Sequence, residues 1–295
     1  MPVSKRHRLQ SWARACGLGL LLIGGVTVQA QSNPTPSPQS ARDQCEKSFK
    51  PSTGQPGKDV VWVPTNDALV TRMLEMAKVG KNDLVYDLGA GDGKIAIAAA
   101  KQFGARAVGV EYNPDMAQLA QCMVRAEGVT EKVNVIQGDI FETDFSKASV
   151  VTLYLLPELN MRLRPTLLKM RPGTRVVSHS FLMDDWRPDE SSVSTDGAAY
   201  LWIVPADVAG KWTFKQQGGK DSFDVELTQT FQKLSGTAGK GKEEITNAEM
   251  RGNRIEMMFS EGDVHTRVVG QLTGDRIEAD VTRNDKSSTY IGTRR

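Results

Sequence analysis

Three glycines alternate with other residues in Gly89-Ala90-Gly91-Asp92-Gly93, directly after the pair Asp87-Leu88. Glycine at such positions lets the backbone turn sharply and approach a ligand, and a helix starting just after the loop offers unpaired N–H groups. Two further acids follow in order. Glu111 closes "AVGVE", where a carboxylate accepts both hydroxyls of a ribose, and Tyr112 stands beside it. Asp139, in "QGDI", can accept a hydrogen bond from the amino group of a base whose ring lies against Ile140. Together these residues describe a pocket for a nucleoside.

Two cofactors compete for that pocket. Dinucleotide folds use G-x-G-x-x-G because the pyrophosphate sits on the helix N-terminus. The spacing here is G-x-G-x-G, and Asp92 puts a negative side chain where the pyrophosphate would lie. An acid opposes phosphate but suits a sulfonium and an ammonium. S-adenosylmethionine (SAM) carries both cations and no phosphate, so the loop fits SAM better than NAD. Glu111 serves either cofactor and does not discriminate between them.

The elements that must hold these residues are legible in the pattern. Thr65 or Asn66 can cap a helix with Leu69, Val70, Met73, Leu74 and Ala77 at helical spacing. Leu84-Val85-Tyr86 begins a strand that enters the glycine loop, and an alanine-rich helix follows. "RAVGVEY" is a second strand. Asn113-Pro114 caps and opens a helix striped by Met116, Leu119, Ala120, Met123 and Val124. "KVNVIQGD", "SVVTLYLLP" and "RPGTRVVSHSF" supply three more strands. Leu159, Leu163 and Leu167 mark a helix between the last two, with a kink expected at Pro165. Short apolar strands alternating with helices predict an α/β domain over residues 60–205, a Rossmann-like parallel sheet with helices on both faces. Over residues 206–295 short alternating segments are separated by "RGN", "EGD" and "TGD". That is hairpin chemistry, and it predicts a small antiparallel barrel or sandwich of six to eight strands.

At these residues the chain resembles the class I (seven-β-strand) SAM-dependent methyltransferases, over about residues 60–204. Asp87 to Gly93 matches that family's first motif, Glu111 its ribose acid and Asp139 its adenine acid. Within the class, "VWVPTNDALVTRMLEMA", "VYDLGAGDGKIAIAAAK" and "VVTLYLLPELNMRLRP" look like a bacterial branch similar to the mitochondrial membrane-associated protein-lysine methyltransferases. The resemblance implies SAM as cofactor, bound by Asp87, Gly89, Gly91, Asp92, Gly93, Glu111, Tyr112, Asp139 and Ile140. It puts Thr65 in a segment that caps the pocket. It also implies a protein substrate methylated on lysine, and more weakly a membrane-associated one. The branch usually has "VPTP", so Asn66 is a departure.

Methyl transfer from a sulfonium is an in-line displacement by a neutral nucleophile, and orientation and desolvation can carry most of it. The residues that could serve the acceptor follow the fourth and fifth strands, at the sheet's carboxyl edge. Tyr154 either lines the acceptor site or belongs to the core. Glu158 either takes a proton or stabilises a helix start. His179 is either a base or a hydrogen-bonded structural residue, and Trp186 either walls the site or covers the sheet end. Methyltransferases of nucleic-acid amino groups carry Asn or Asp, Pro-Pro and an aromatic after the fourth strand. "LYLLPE" lacks that set, which argues against a nucleic-acid acceptor. An NAD(P)-dependent oxidoreductase, and an exported nucleoside-binding protein without turnover, stand as alternative readings.

Residues 1–30 open with Lys5, Arg6, Arg8 and Arg14, continue without charge from position 15, and end in Val28-Gln29-Ala30. This reads as an export signal, with an uncleaved anchor as the alternative. The uncharged stretch falls short of the roughly 20 apolar residues a spanning helix needs. Without those four basic residues the 37 Lys and Arg fall to 33 against 35 Asp and Glu, which leaves no electrostatic footprint for nucleic acid. Residues 31–59, rich in Pro, Ser, Gly and Gln, are expected to be a flexible leader. Cys45 and Cys122 either bridge in an oxidising compartment or stay free thiols. Three histidines and no ligand-type cysteine spacing predict no metal site. The expected location is exported and periplasmic, or membrane-anchored.

Overall fold

Capping chemistry starts most of the helices. The computed structural model describes residues 37–295, so the expected export signal lies outside the described residues. Ser37 caps α1 (Pro38–Ser48) by accepting from Ser40 N–H, with Pro38 in the first turn. Asn66 caps α2 (Asp67–Met76) by accepting from Leu69 N–H at 2.8 Å, while its amide donates to Asp196 O at 2.6 Å. Proline has neither group, so the departure at Asn66 adds two hydrogen bonds. The strand β1 (Leu84–Leu88) feeds the glycine loop, and α3 (Lys94–Phe103) follows it. Next come β2 (Arg106–Glu111), α4 (Pro114–Ala126), capped by Asn113, β3 (Val133–Gln137) and β4 (Val150–Leu153). Then α5 (Pro157–Leu167), which holds Pro165 in its last turn, leads to β5 (Arg175–His179).

These five strands run parallel, as expected, but the sheet has seven. A hairpin of β6 (Glu190–Ser194) and β7 (Gly197–Ile203) completes it in the order β3-β2-β1-β4-β5-β7-β6, with β7 antiparallel to β5. The Rossmann-like sheet expected is thus present, and the pattern does not announce its last two strands because β6 is a largely exposed edge strand with no apolar alternation. Central pairing sets Asp87 beside both Gly109 and Thr152. The leucines of α5 (Leu159, Leu163, Leu167) and the α2 residues Leu69, Val70, Met73 and Leu74 are buried against the sheet.

Residues 31–59 are corrected as well. From Ser37 onward they are not a free leader, because Cys45 is disulfide-bonded to Cys122 of α4 and Arg42 pairs with Glu127 at 2.9 Å. Cys45 is the one buried side chain of α1. The helix is therefore held mainly by a covalent bond, which composition could not report.

The C-terminal strands are β8 (Gly210–Gln216), β9 (Ser222–Thr230), β10 (Lys233–Ala238), β11 (Glu243–Glu244), β12 (Thr246–Arg251), β13 (Arg254–Glu261), β14 (Val264–Thr273), β15 (Arg276–Arg283) and β16 (Lys286–Arg294). Each long strand pairs antiparallel with the next, β16 returns to β8, and β9 joins β10, so eight strands close a barrel. Closure removes exposed edges. Inward side chains such as Trp212, Phe214, Phe223, Met257 and Phe259 fill it. At one place Asp221 accepts from the Tyr290 hydroxyl at 2.5 Å and pairs with Arg283. The barrel meets the α/β sheet through Phe231, stacked on Trp186 at 6.0 Å, and through Gln232, which donates to Arg187 O at 2.6 Å. Sheet and barrel belong to one unit, Ser37–Arg295. Among the described residues no helix is long and apolar enough to cross a membrane.

The disulfide closes a separation of 77 residues, which in the chain-entropy account is worth about 4 kcal/mol. Cys45→Ser should lower stability in urea by roughly 2–4 kcal/mol. In hydrogen exchange it should expose α1 while β1, β2 and β4 stay protected.

Candidate functional site

Gly89, Gly91 and Gly93 all have positive φ, at 84°, 56° and 82°. At Gly91 the need is also steric: a Cβ there would lie 2.8 Å from the indole nitrogen of Trp62. Gly93 caps α3 in the left-handed region without a side-chain hydrogen bond of its own, and Asp92 Oδ1 accepts from the first helical N–H, that of Lys94, at 3.2 Å. The loop is pinned by Glu111, whose Oε2 accepts from Gly91 N–H at 2.8 Å and whose Oε1 accepts from Asn113 N–H at 2.9 Å. Each oxygen keeps a second lone pair for a ribose hydroxyl.

The site is a cavity of about 270 Å³ at the carboxyl ends of β1, β2 and β4. Of the residues expected around a cofactor, Thr65, Asp87, Gly89, Gly91, Asp92, Glu111, Tyr112, Asp139 and Ile140 line it. Gly93 stands behind the loop, its α-carbon packed toward Ala120 of α4. Tyr154 is in the lining, joined by Leu155, Leu156, Leu159 and Phe181.

Three of the five acids in the lining, Asp87, Asp92 and Glu111, stand at the glycine loop. Asp87 is 2% exposed; its Oδ1 accepts from Thr152 Oγ1 at 2.6 Å and its Oδ2 has no partner. Burial pushes its pKa up to about 7, with the nearby charges of Asp92 and Glu111 adding to the rise and the Thr152 hydrogen bond opposing it. Burial also raises Asp92 and Glu111. Such a wall calls for a cation. The fit to SAM is therefore concrete: an unpartnered buried carboxylate oxygen for a positive group, and a pre-aligned carboxylate for the ribose.

A strap of residues 55–65, foreseen only from Val63 to Thr65, covers the cavity. Pro56 and Val61 form an antiparallel bridge, and Gly54 N–H and Trp62 N–H bond across it. Lys58 Nζ sits 2.7 Å from Asp139 and 4.4 Å from the centre of the Tyr112 ring, and this contact holds the Asp139 carboxyl below its ordinary range. Thr65 Oγ1 meets His179 Nδ1 at 3.1 Å, and Thr65 O accepts from Lys94 Nζ at 3.0 Å. Nothing in local sequence signals these contacts, since they join segments tens of residues apart.

The proposed proton acceptors fare differently. His179 is 7% exposed, lies outside the cavity lining, and stacks on Tyr154 at 3.7 Å. Burial pushes its pKa down to about 4, so it is neutral at physiological pH and supports Tyr154 from behind. Glu158 lies outside the lining, exposed in the first turn of α5. Trp186 is fully buried, packed against Trp202 and Phe231, and also lies away from the cavity.

Residues 87–190 match the ANTKMT methyltransferase domain family. The chain is similar to a protein-lysine N-methyltransferase of Saccharolobus islandicus, 46% identical over 151 residues, covering 49% of this chain and 94% of that protein. It is 30% identical over 153 residues to the adenine nucleotide translocase lysine N-methyltransferase of Mus musculus, covering 51% of this chain and 65% of the relative. Among solved structures it is similar to an RNA methyltransferase from Salinibacter ruber in complex with S-adenosylhomocysteine, with 48% identity, 50% of this chain and 96% of that chain covered, and a TM-score of 0.49.

Two titrations oppose each other. Native Asp87, raised to about 7, keeps a proton that the unfolded chain loses near pH 4, so its contribution to stability falls as pH rises between those values. Native His179, lowered to about 4 from 6.5, stays neutral where the unfolded chain protonates, so its contribution falls as pH drops through that window. A bound cation favours ionised Asp87. Affinity for S-adenosylhomocysteine, measured by calorimetry, should therefore climb from pH 5.5 to about 7, by up to about tenfold per unit, and then level off. Asp87→Asn should flatten that slope and weaken binding throughout.

Proposed function

The chain belongs to the protein-lysine N-methyltransferases, and from that premise we propose that it transfers a methyl group from SAM to the side-chain amine of a lysine in a protein substrate. The observation that carries this reading is Asp87, a fully buried carboxylate in the cavity wall with one oxygen unpartnered. When bound, SAM supplies a methyl carbon made electrophilic by the cationic sulfur. The chain's own residues do the rest. Asp87 and Asp92 offset positive charge at the loop, Glu111 takes the ribose, and Tyr112, Asp139 and Ile140 frame the base.

Tyr154, Leu156, Leu159 and Phe181 give the cavity an aromatic and aliphatic wall. Lysine must lose its proton before it can attack, and an apolar wall lowers an amine's pKa by desolvation. Burial raises the Tyr154 phenol, so it stays protonated, and its oxygen can accept an N–H of the incoming amine and aim the nitrogen lone pair. Such a site orients and desolvates, with no strong base required. The buried acids disfavour the pyrophosphate of NAD(P).

We assign catalysis to residues 60–205 and a structural or recognition role to the barrel of residues 206–295, none of which lines the cavity. The basic and apolar leader, together with the Cys45–Cys122 bridge, supports an oxidising compartment outside the cytoplasm. A membrane-associated substrate fits that location. N-terminal sequencing of the mature protein in fractionated cells should find a start after Ala30; an intact leader on the cytoplasmic side would defeat this assignment.

Incubation with methyl-labelled SAM and membrane or soluble protein fractions should label lysines by mass spectrometry, and ribonuclease should leave the label intact. Glu111→Ala should abolish it. Tyr154→Phe removes one hydrogen bond of about 1 kcal/mol and should cost on the order of five- to tenfold in kcat with little change in KM for SAM. Label found in RNA alone would refute the lysine reading.

A further inference from the structure

We propose that Lys94 is the counter-ion for the α-carboxylate of the cofactor's amino-acid end, and so the residue that separates SAM and S-adenosylhomocysteine from nucleosides lacking that end. The inference rests on the SAM reading of the cavity. That end of the cofactor is a zwitterion. Its ammonium finds acids in the wall, but its carboxylate would be repelled by Asp87, Asp92 and Glu111 unless a cation stood near.

Among the described residues two side-chain cations line the cavity, Lys58 and Lys94. Lys58 is committed to the base end, on Asp139 and over Tyr112. Lys94 is the first residue of α3, directly after the glycine loop, and its backbone N–H donates to Asp92 Oδ1 at 3.2 Å. It therefore stands at the end of the pocket where the unpartnered oxygen of Asp87 also lies in the wall.

Its ammonium is held but not used up. Nζ donates to Thr65 O at 3.0 Å and lies 3.0 Å from Asp67, whose side chain is 86% exposed. An ion pair with so exposed a partner is weak, and an ammonium has three donors, so one remains for a ligand oxygen. Acid on one side and ammonium on the other match the two charges of an amino-acid group.

The test uses the full chain, calorimetry and three probes: S-adenosylhomocysteine, its decarboxylated analogue, and methylthioadenosine, which lacks the whole amino-acid end. Lys94→Met keeps the aliphatic stem and removes the charge. It should weaken S-adenosylhomocysteine about tenfold and leave the other two within about twofold; their retained binding also reports an intact site. Lys94→Arg should restore most of the loss. Equal weakening of all three probes would make Lys94 a merely structural contact with the strap, and unchanged S-adenosylhomocysteine binding would remove it from recognition; either overturns the inference. Failure of the wild-type chain to bind any of the three would overturn the cofactor reading itself, and this inference with it.

Discussion

The Glu111 carboxylate, accepting at once from Gly91 N–H and Asn113 N–H, is the contact on which the site is built. It joins three elements at one point: the end of β2, the loop leaving β1 and the cap of α4. A desolvated carboxylate without such donors would be more costly, and two backbone N–H groups offset part of that cost. The loop is then obliged to present Gly91 N–H toward β2, which requires a left-handed turn there. The same turn brings Gly91 under Trp62, where no side chain fits. The glycines, the acid and the strap above them thus follow from one geometric demand.

The strap depends on that point from the other side. Its apolar run, Val60 to Val63, leaves Val61 and Val63 exposed, so burial orders little of it. Order comes instead from fixed ends. Cys45 ties α1 to Cys122 of α4, the helix whose cap Glu111 already holds, and Asn66 fixes the start of α2. Between them Lys58, Trp62 and Thr65 each meet a different part of the cavity wall. The barrel lies outside this circuit. Its interior is filled by its own side chains, and Phe231 and Gln232 bind it to the region of Trp186 and Arg187 rather than to the cavity.

What was legible in the sequence was chemistry that is local. Asp87, Glu111 and Asp139 stand at strand ends that periodicity locates, and Asn66, Asn113 and Pro114 mark helix starts by capping rules. Alternation with turn residues announced an antiparallel barrel of about the right strand number. What escaped depends on distant partners. The β6–β7 hairpin has an exposed edge strand whose polar residues look like loop. Helix α1 is secured by a disulfide between positions for which free thiols were equally admissible. Lys58 and Trp62 acquire meaning only when the strap folds back onto Tyr112, Asp139 and Gly91. His179, at the end of a strand like the acids, could have faced the cavity; stacking behind Tyr154 decided otherwise.

Burial, with the charges of Asp92 and Glu111 adding to it, makes Asp87 hold a proton near neutrality. A cation entering the pocket replaces that proton and relieves the repulsion it leaves. The wall therefore suits a ligand with positive charge and no phosphate. Discrimination against dinucleotides and attraction of a sulfonium nucleoside are then one electrostatic property. In the proposed reaction an amine beside Tyr154 would meet no carboxylate in the aliphatic wall, and desolvation would favour release of its proton to solvent before it attacks.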